Sequence, residues 1–100
     1  MRNNISQFLG LAMRAGKVKM GESVILSELK KKNIKLVIVA SDASINTTQL
    51  MQNKCDSYQV DIRLYGTRSE LGQALGKGER VNIGITDAGF AKKLLSMIDE

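Results

Sequence analysis

Gly16-Lys17-Val18-Lys19-Met20-Gly21-Glu22-Ser23-Val24-Ile25-Leu26-Ser27-Glu28-Leu29-Lys30-Lys31-Lys32-Asn33-Ile34-Lys35-Leu36-Val37-Ile38-Val39-Ala40-Ser41-Asp42 is the stretch on which the fold depends. Lys17 to Met20 alternates charged and apolar side chains, the pattern of a strand with one buried face. Gly21 breaks that strand and opens a helix. At about 100° per residue, Ile25, Leu26, Leu29 and the stem of Lys32 share one arc. Ser23, Ser27, Lys30 and Lys31 fall on the opposite arc, with Val24 at the border. Lys30, Lys31 and Lys32 occupy the last turn, where cations suit the negative end of the helix dipole, and Asn33 is the expected stop. Leu36 to Ala40 is an unbroken apolar run rich in β-branched residues, which predicts a central strand buried on both faces.

The same reading extends outward in both directions. Asn3 or Asn4 is placed to cap a first helix with Ile5, Phe8, Leu9, Ala12 and Met13 on its inner face and Gly16 at its end. After Asp42, a third helix is predicted from about Ser44 to Cys55, with Ile45, Thr48, Met51 and Cys55 inward. Val60 to Tyr65 alternates and predicts a strand. Thr67-Arg68-Ser69-Glu70 matches a capping box and opens a short helix with Leu71, Ala74 and Leu75 inside. Gly76-Lys77-Gly78-Glu79-Arg80 is a flexible basic loop, and Val81 to Thr86 is the fourth strand. Asp87 caps a last helix whose inner face is Phe90, Ala91, Leu94, Leu95 and Ile98. The order αβαβαβαβα predicts an α/β fold, a sheet between two helix layers.

Composition narrows the function. One hundred residues, 43% hydrophobic and 25% charged, suit one domain with a packed core rather than a disordered chain. No apolar run approaches the ~20 residues that span a bilayer, and the first residues lack a signal-peptide core; the expectation is a cytoplasmic protein without a membrane partner. There is no histidine and a single cysteine, Cys55, so a zinc cluster, a Cys/His dyad, a Ser/His/Asp triad and an internal disulfide are excluded by inventory. No cofactor and no small-molecule substrate are expected. Residues 1–41 carry eight basic and two acidic side chains, whereas residues 42–100 carry seven and eight. The net charge of +5 therefore belongs to one part of the chain, which points to a polyanionic partner.

Two segments stand out as an RNA surface. The start of the second helix offers free backbone N–H groups and a positive dipole end. There Gly21 permits close approach, Ser23 and Ser27 supply short hydrogen-bonding groups, and Lys17, Lys19, Lys30 and Lys31 are placed for flanking phosphates. In the Gly76–Asn82 loop, Lys77 and Arg80 are placed to grip a backbone. Against these stand plain readings: a solvated basic helix face and an ordinary helix-to-strand connection. Asp42 and Asp87 lie near strand ends, where an enzyme places acid/base groups or metal ligands, but each also suffices as a helix cap. Cys55 reads as a small buried apolar residue. The few aromatics (Phe8, Tyr58, Tyr65, Phe90) argue against a stacking platform for single strands and favour folded RNA.

The ordered set Gly16-Lys17-Val18, Gly21, Lys35 to Asp42, Glu70-Leu71-Gly72 with Gly76-Lys77, and Ile85-Thr86-Asp87-Ala88-Gly89 resembles the kink-turn RNA-binding ribosomal proteins of the L-seven-Ae and L-thirty-e type, and most of all their short bacterial YlxQ-like members. The resemblance covers nearly the whole chain. It implies a three-layer α-β-α sandwich around a four-stranded mixed sheet. It also implies a non-enzymatic, ribosome-associated protein that binds a kink-turn, a bend flanked by tandem sheared G·A pairs. By the same resemblance, Gly21–Lys31, which includes Glu22 and Val24, enters the RNA groove, and Gly76–Asn82 covers the bulged nucleotides. One departure accompanies it. Where many members have Asn, Glu and Lys, this chain has Ser23, Val24 and Ser27; each lost base contact costs ~1–3 kcal/mol. The rival expectation is a protein-interaction module of the same fold with weak or no RNA binding.

Overall fold

The computed structural model describes residues 1–100. Its elements are α1 (Asn3–Arg14), β1 (Val18–Met20), α2 (Glu22–Lys30), β2 (Leu36–Val39), α3 (Ile45–Tyr58), β3 (Asp61–Leu64), α4 (Arg68–Ala74), β4 (Asn82–Ile85) and α5 (Ala88–Ile98). The four strands form one mixed sheet in the order β1-β4-β2-β3. β4 runs antiparallel to both neighbours, with Met20 opposite Ile83 and Val39 opposite Asn82. β2 and β3 are parallel, with α3 as the crossover.

The apolar run of β2 is buried on both faces because alternate residues enter different cores. Leu36, Ile38 and Ala40 join Ile5, Leu9, Leu71, Leu75, Ile83, Ile85, Ala91, Leu94 and Met97 beneath α1, α4 and α5. Val37 and Val39 join Ile25, Leu29, Ile34, Met51 and Cys55 beneath α2 and α3. This is the predicted sandwich, and β4 repeats its logic: Ile83 and Ile85 face the three-helix layer, leaving Asn82 and Gly84 toward the two-helix layer. At Gly84 a Cβ would lie 2.7 Å from the tip of Ile34 and 3.4 Å from Ile25, so the missing side chain lets that core close over the strand.

Several local expectations change. α1 has Arg2 at its N-cap with no side-chain cap, while the Asn4 carboxamide accepts only from the adjacent Ile5 N–H. α2 stops at Lys30, not Asn33; Lys32 turns into the left-handed region (φ 61°), and its stem is exposed. α3 continues one turn past Cys55 to Tyr58, since nothing before Gln59 (φ 57°) breaks it. Ile45, expected inward, is 74% exposed. Other expectations hold. Ser44, Thr67 and Asp87 each accept a backbone N–H three residues on, and the Thr67–Glu70 pair forms a complete capping box.

Candidate nucleic-acid interface

The sheet topology places the C-terminal ends of β1 and β2 beside the N-terminal end of β4. The chain leaves β1 into α2 and leaves β2 toward α3, so both helices start at this edge. A cavity of about 590 Å³ lies there. One wall is Met20, Gly21 and Glu22, at the join of β1 and α2. Thr47, from the first turn of α3, forms a second. The third is Glu79 to Asn82, the end of the α4–β4 loop and the first residue of β4.

The two segments singled out from sequence thus meet at one open corner. Gly21 holds φ 96° and ψ 142°, a conformation that L side chains rarely adopt, and nothing lies within 4 Å of where its Cβ would be. It is the N-cap of α2 and supplies no side-chain acceptor, unlike the caps of α3, α4 and α5. The first N–H groups of α2 therefore face solvent without a side-chain partner, at the positive end of the helix dipole.

The loop owes its position to a close approach. Gly72, inside α4, sits so near the loop that a Cβ would fall 2.1 Å from the Gly78 carbonyl oxygen and 2.7 Å from its carbon. Lys77 N–H donates to the Gly72 carbonyl at 2.8 Å, and Arg80 N–H to the Arg68 carbonyl at 3.1 Å. The Glu70-Leu71-Gly72 and Gly76-Lys77 signature is thereby explained: the first part caps and packs α4, and the second lays the loop along it.

Of the residues selected from sequence, Gly21, Glu22 and Arg80 border the cavity. Ser27 and Lys30 instead line a smaller groove with Leu26, Lys54 and Tyr58 between α2 and α3. Ser23, Val24, Lys31 and Lys77 are exposed and border neither. Lys17 is half-buried, and exposed Lys19 lies 4.0 Å from Glu28 on α2, a pairing too loose to hold it from an anion. Sequence reading missed Thr47 and the role of Asn82 as a wall. Thr47 carries no signal of its own. Asn82 had one: it is the polar interruption of an otherwise apolar strand.

The carboxylates considered for catalysis are both occupied. Asp87 accepts from Phe90 N–H at 2.9 Å. Asp42 does not cap α3, a role taken by Ser44; it accepts from the Arg68 N–H at 2.9 Å and so caps α4 from across the sheet edge. That backbone hydrogen bond, with the Arg68 guanidinium, holds the Asp42 carboxyl below its ordinary value. A depressed folded-state pKa contributes stability above the unfolded value of about 3.9 that is lost as pH falls through the folded value. Asp42→Asn is therefore expected to lower stability at neutral pH, with the difference from the parent chain closing as pH falls through the carboxyl's lowered folded-state value. Urea denaturation across that range checks it; a difference independent of pH would remove the carboxylate's role. Cys55 is buried on α3, and burial pushes its thiol up to about 11, so it stays protonated at neutral pH.

Residues 3–95 match the Ribosomal protein L7Ae/L30e/S12e/Gadd45 family. The chain belongs to this family. Among relatives, it is 43% identical over 91 residues to the RNA-binding protein YlxQ of Bacillus subtilis, covering 91% of each chain. It is 33% identical to the large ribosomal subunit protein eL30 of Dictyostelium discoideum, over 96% of this chain and 88% of that one. A solved structure of a Bacillus halodurans protein superposes with a TM-score of 0.96 at 42% identity, covering 99% of this chain and 100% of the other. The family resemblance read from the glycine and strand signatures is thus borne out, as is the α-β-α fold. No helix is long and apolar enough to cross a membrane.

Proposed function

We propose that this family member is a non-enzymatic, cytoplasmic, ribosome-associated single-domain protein that binds structured RNA at a kink-turn or a similarly sharp bend. The observation that carries the reading is the meeting of the uncapped α2 start and the α4–β4 loop around one open cavity, next to the most basic part of the chain. The α2 N–H groups and Ser23 take acceptors at the bend, Arg80 and Lys77 take the strand passing over the loop, and Lys17, Lys19, Lys30 and Lys31 attract flanking phosphates. The names of the relatives in Bacillus subtilis and Dictyostelium discoideum, one RNA-binding and one ribosomal, point the same way. Binding only the bent RNA shifts the RNA's own equilibrium toward the bend, which needs no bond-making step.

Ser23, Val24 and Ser27 leave the outer face of α2 with short or apolar groups, so selectivity rests more on shape and backbone than on side chains reaching base edges. Gel shift with a kink-turn duplex and the same duplex lacking its G·A pairs is expected to show at least about tenfold preference for the former. Four lysine–phosphate contacts would give a log–log salt slope of about −3.6, roughly a 150-fold loss between about 50 and 200 mM salt. Equal affinity for the two duplexes would remove the bend-specific claim, and a flat salt dependence would remove the lysines' part in it.

A further inference from the structure

We propose that the far ends of α2 and α3 form a second RNA-binding surface, where lysines around Tyr58 hold the backbone of a straight RNA duplex while the corner at the α2 start holds the bend. The proposal extends the RNA-binding reading and rests on it for the class of partner. Two grooves meet at Tyr58, the one residue that lines both. Lys30 and Lys54 line the first, and Lys32 and Lys35 the second. All four are exposed, and the ion pairs of the protein all lie elsewhere. Asp61 is the one acid among the lining residues. Lysines at the end of α2 suit that helix's dipole. That does not account for Lys35, in the link to β2, or for Lys54, which precedes the last turn of α3.

Two features of the backbone set this surface apart. Lys35 precedes β2 and Asp61 opens β3, where Leu36 pairs with Asp61. The corner cavity lies at the other end of β2, where Val39 pairs with Asn82. The length of β2, about 13 Å, separates the two, so a short bend seated at the corner leaves the grooves open. Lys32 (φ 61°) and Gln59 (φ 57°) are the only non-glycine residues in the left-handed region, and both line the same groove. Glycine is the residue such helix ends favour. Long polar side chains kept at both positions against that preference are explained if they reach a ligand.

The lining indicates which ligand. None of the exposed large apolar side chains, Leu11, Val24, Ile45 and Leu64, lines either groove. A protein partner or a membrane needs such an anchor. Phosphates need only cations, hydroxyls and amides, which the lysines, Ser27, Tyr58 and Gln59 supply. Cations spread along two open grooves match a row of phosphates rather than one small anion. Tyr58 is half-buried and packs on the core beneath α2 and α3, so it is no platform for unpaired bases, and a duplex fits better than a single strand.

The test uses the full chain, a kink-turn RNA with arms only long enough to form the bend, and a labelled straight duplex. The duplex is expected to bind at least about tenfold more weakly than the bend, since backbone contacts carry no base readout. With the kink-turn RNA saturating, it is expected to add a slower-migrating species in a gel, at an affinity within about fivefold of that for the free protein. Lys35→Glu with Lys54→Glu is expected to weaken duplex binding at least about tenfold and kink-turn binding by no more than about threefold. Lys92→Glu with Lys93→Glu, on α5, makes the same change in net charge and is expected to leave duplex binding within about threefold. The saturation measurement on the parent stands even if a variant does not fold. Exclusion of the duplex by the kink-turn RNA would mean a single site. Equal losses from the two double variants would reduce the attraction to net charge. Polyglutamate binding as tightly as the duplex would assign the surface to an acidic protein segment. Each of these overturns the proposal. Failure of the bend reading is a separate result, in which the parent does not distinguish kink-turn RNA from the same RNA lacking its G·A pairs.

Discussion

Gly72→Ala is expected to lower both stability and RNA affinity, although alanine is the better helix former. In the interior of a helix the exchange by itself would favour alanine by about 1 kcal/mol. Here the added methyl would lie 2.1 Å from the Gly78 carbonyl oxygen and 3.1 Å from the Glu79 Cα. These are backbone atoms, which cannot swing aside as a side-chain tip does. The loop must lift from α4, stretching the hydrogen bonds from Lys77 N–H to Gly72 and from Arg80 N–H to Arg68. Overpacking of this kind costs about 1–3 kcal/mol, and in a chain of this size each kcal/mol lowers the thermal midpoint by about 4–8 °C. The same movement displaces Glu79 to Asn82, one wall of the cavity, so affinity for the kink-turn duplex is expected to fall at least about tenfold. Thermal melts and gel shifts on the same preparation check both halves. A variant as stable as the parent and binding as tightly would mean that the loop is not held by this contact.

Ile38→Ala is expected to do the opposite: a large loss of stability with little loss of affinity per folded molecule. Ile38 is fully buried at the centre of the sheet, on the face covered by α1, α4 and α5. Truncating it removes apolar burial and leaves a cavity among residues from four elements, at about 2–5 kcal/mol. That is a large share of the ~5–15 kcal/mol that holds such a domain folded. The interface lies at the end of the sheet where α2 and α3 begin, and of its lining residues only Met20 packs against this core. Affinity measured at a temperature where the variant is fully folded is therefore expected to stay within about twofold of the parent. Urea denaturation gives the first quantity and gel shift the second. A tenfold affinity loss in the folded variant would show the two faces to be coupled through the sheet, which the separate cores do not predict.

Much of this architecture is legible along the chain because its signals are local. Alternation in Lys17–Met20, the double burial of Leu36–Ala40 and the capping box at Thr67 depend on neighbours a few residues away. Where a reading failed, a distant partner or a missing one decided it. Ile45 sits at inward spacing but finds no covering partner and stays exposed. Asp42 looks like the cap of α3 and is recruited by Arg68, 26 residues on. The end of α2 moved from Asn33 to Lys30 because Lys32 takes a left-handed conformation that its residue type does not announce.

The sequence by itself determined the class of fold, the order of elements, the concentration of positive charge before residue 42 and the two segments worth suspecting. It did so because hydrophobic period, caps and charge are properties of short stretches. Only the tertiary structure decided that those segments share a corner, that Gly72 seats the loop there, and that Lys32, Lys35 and Lys54 gather about Tyr58 at the far end of the sheet. These depend on strand order and on backbones passing within van der Waals contact, and neither is written in the spacing of residues along one chain.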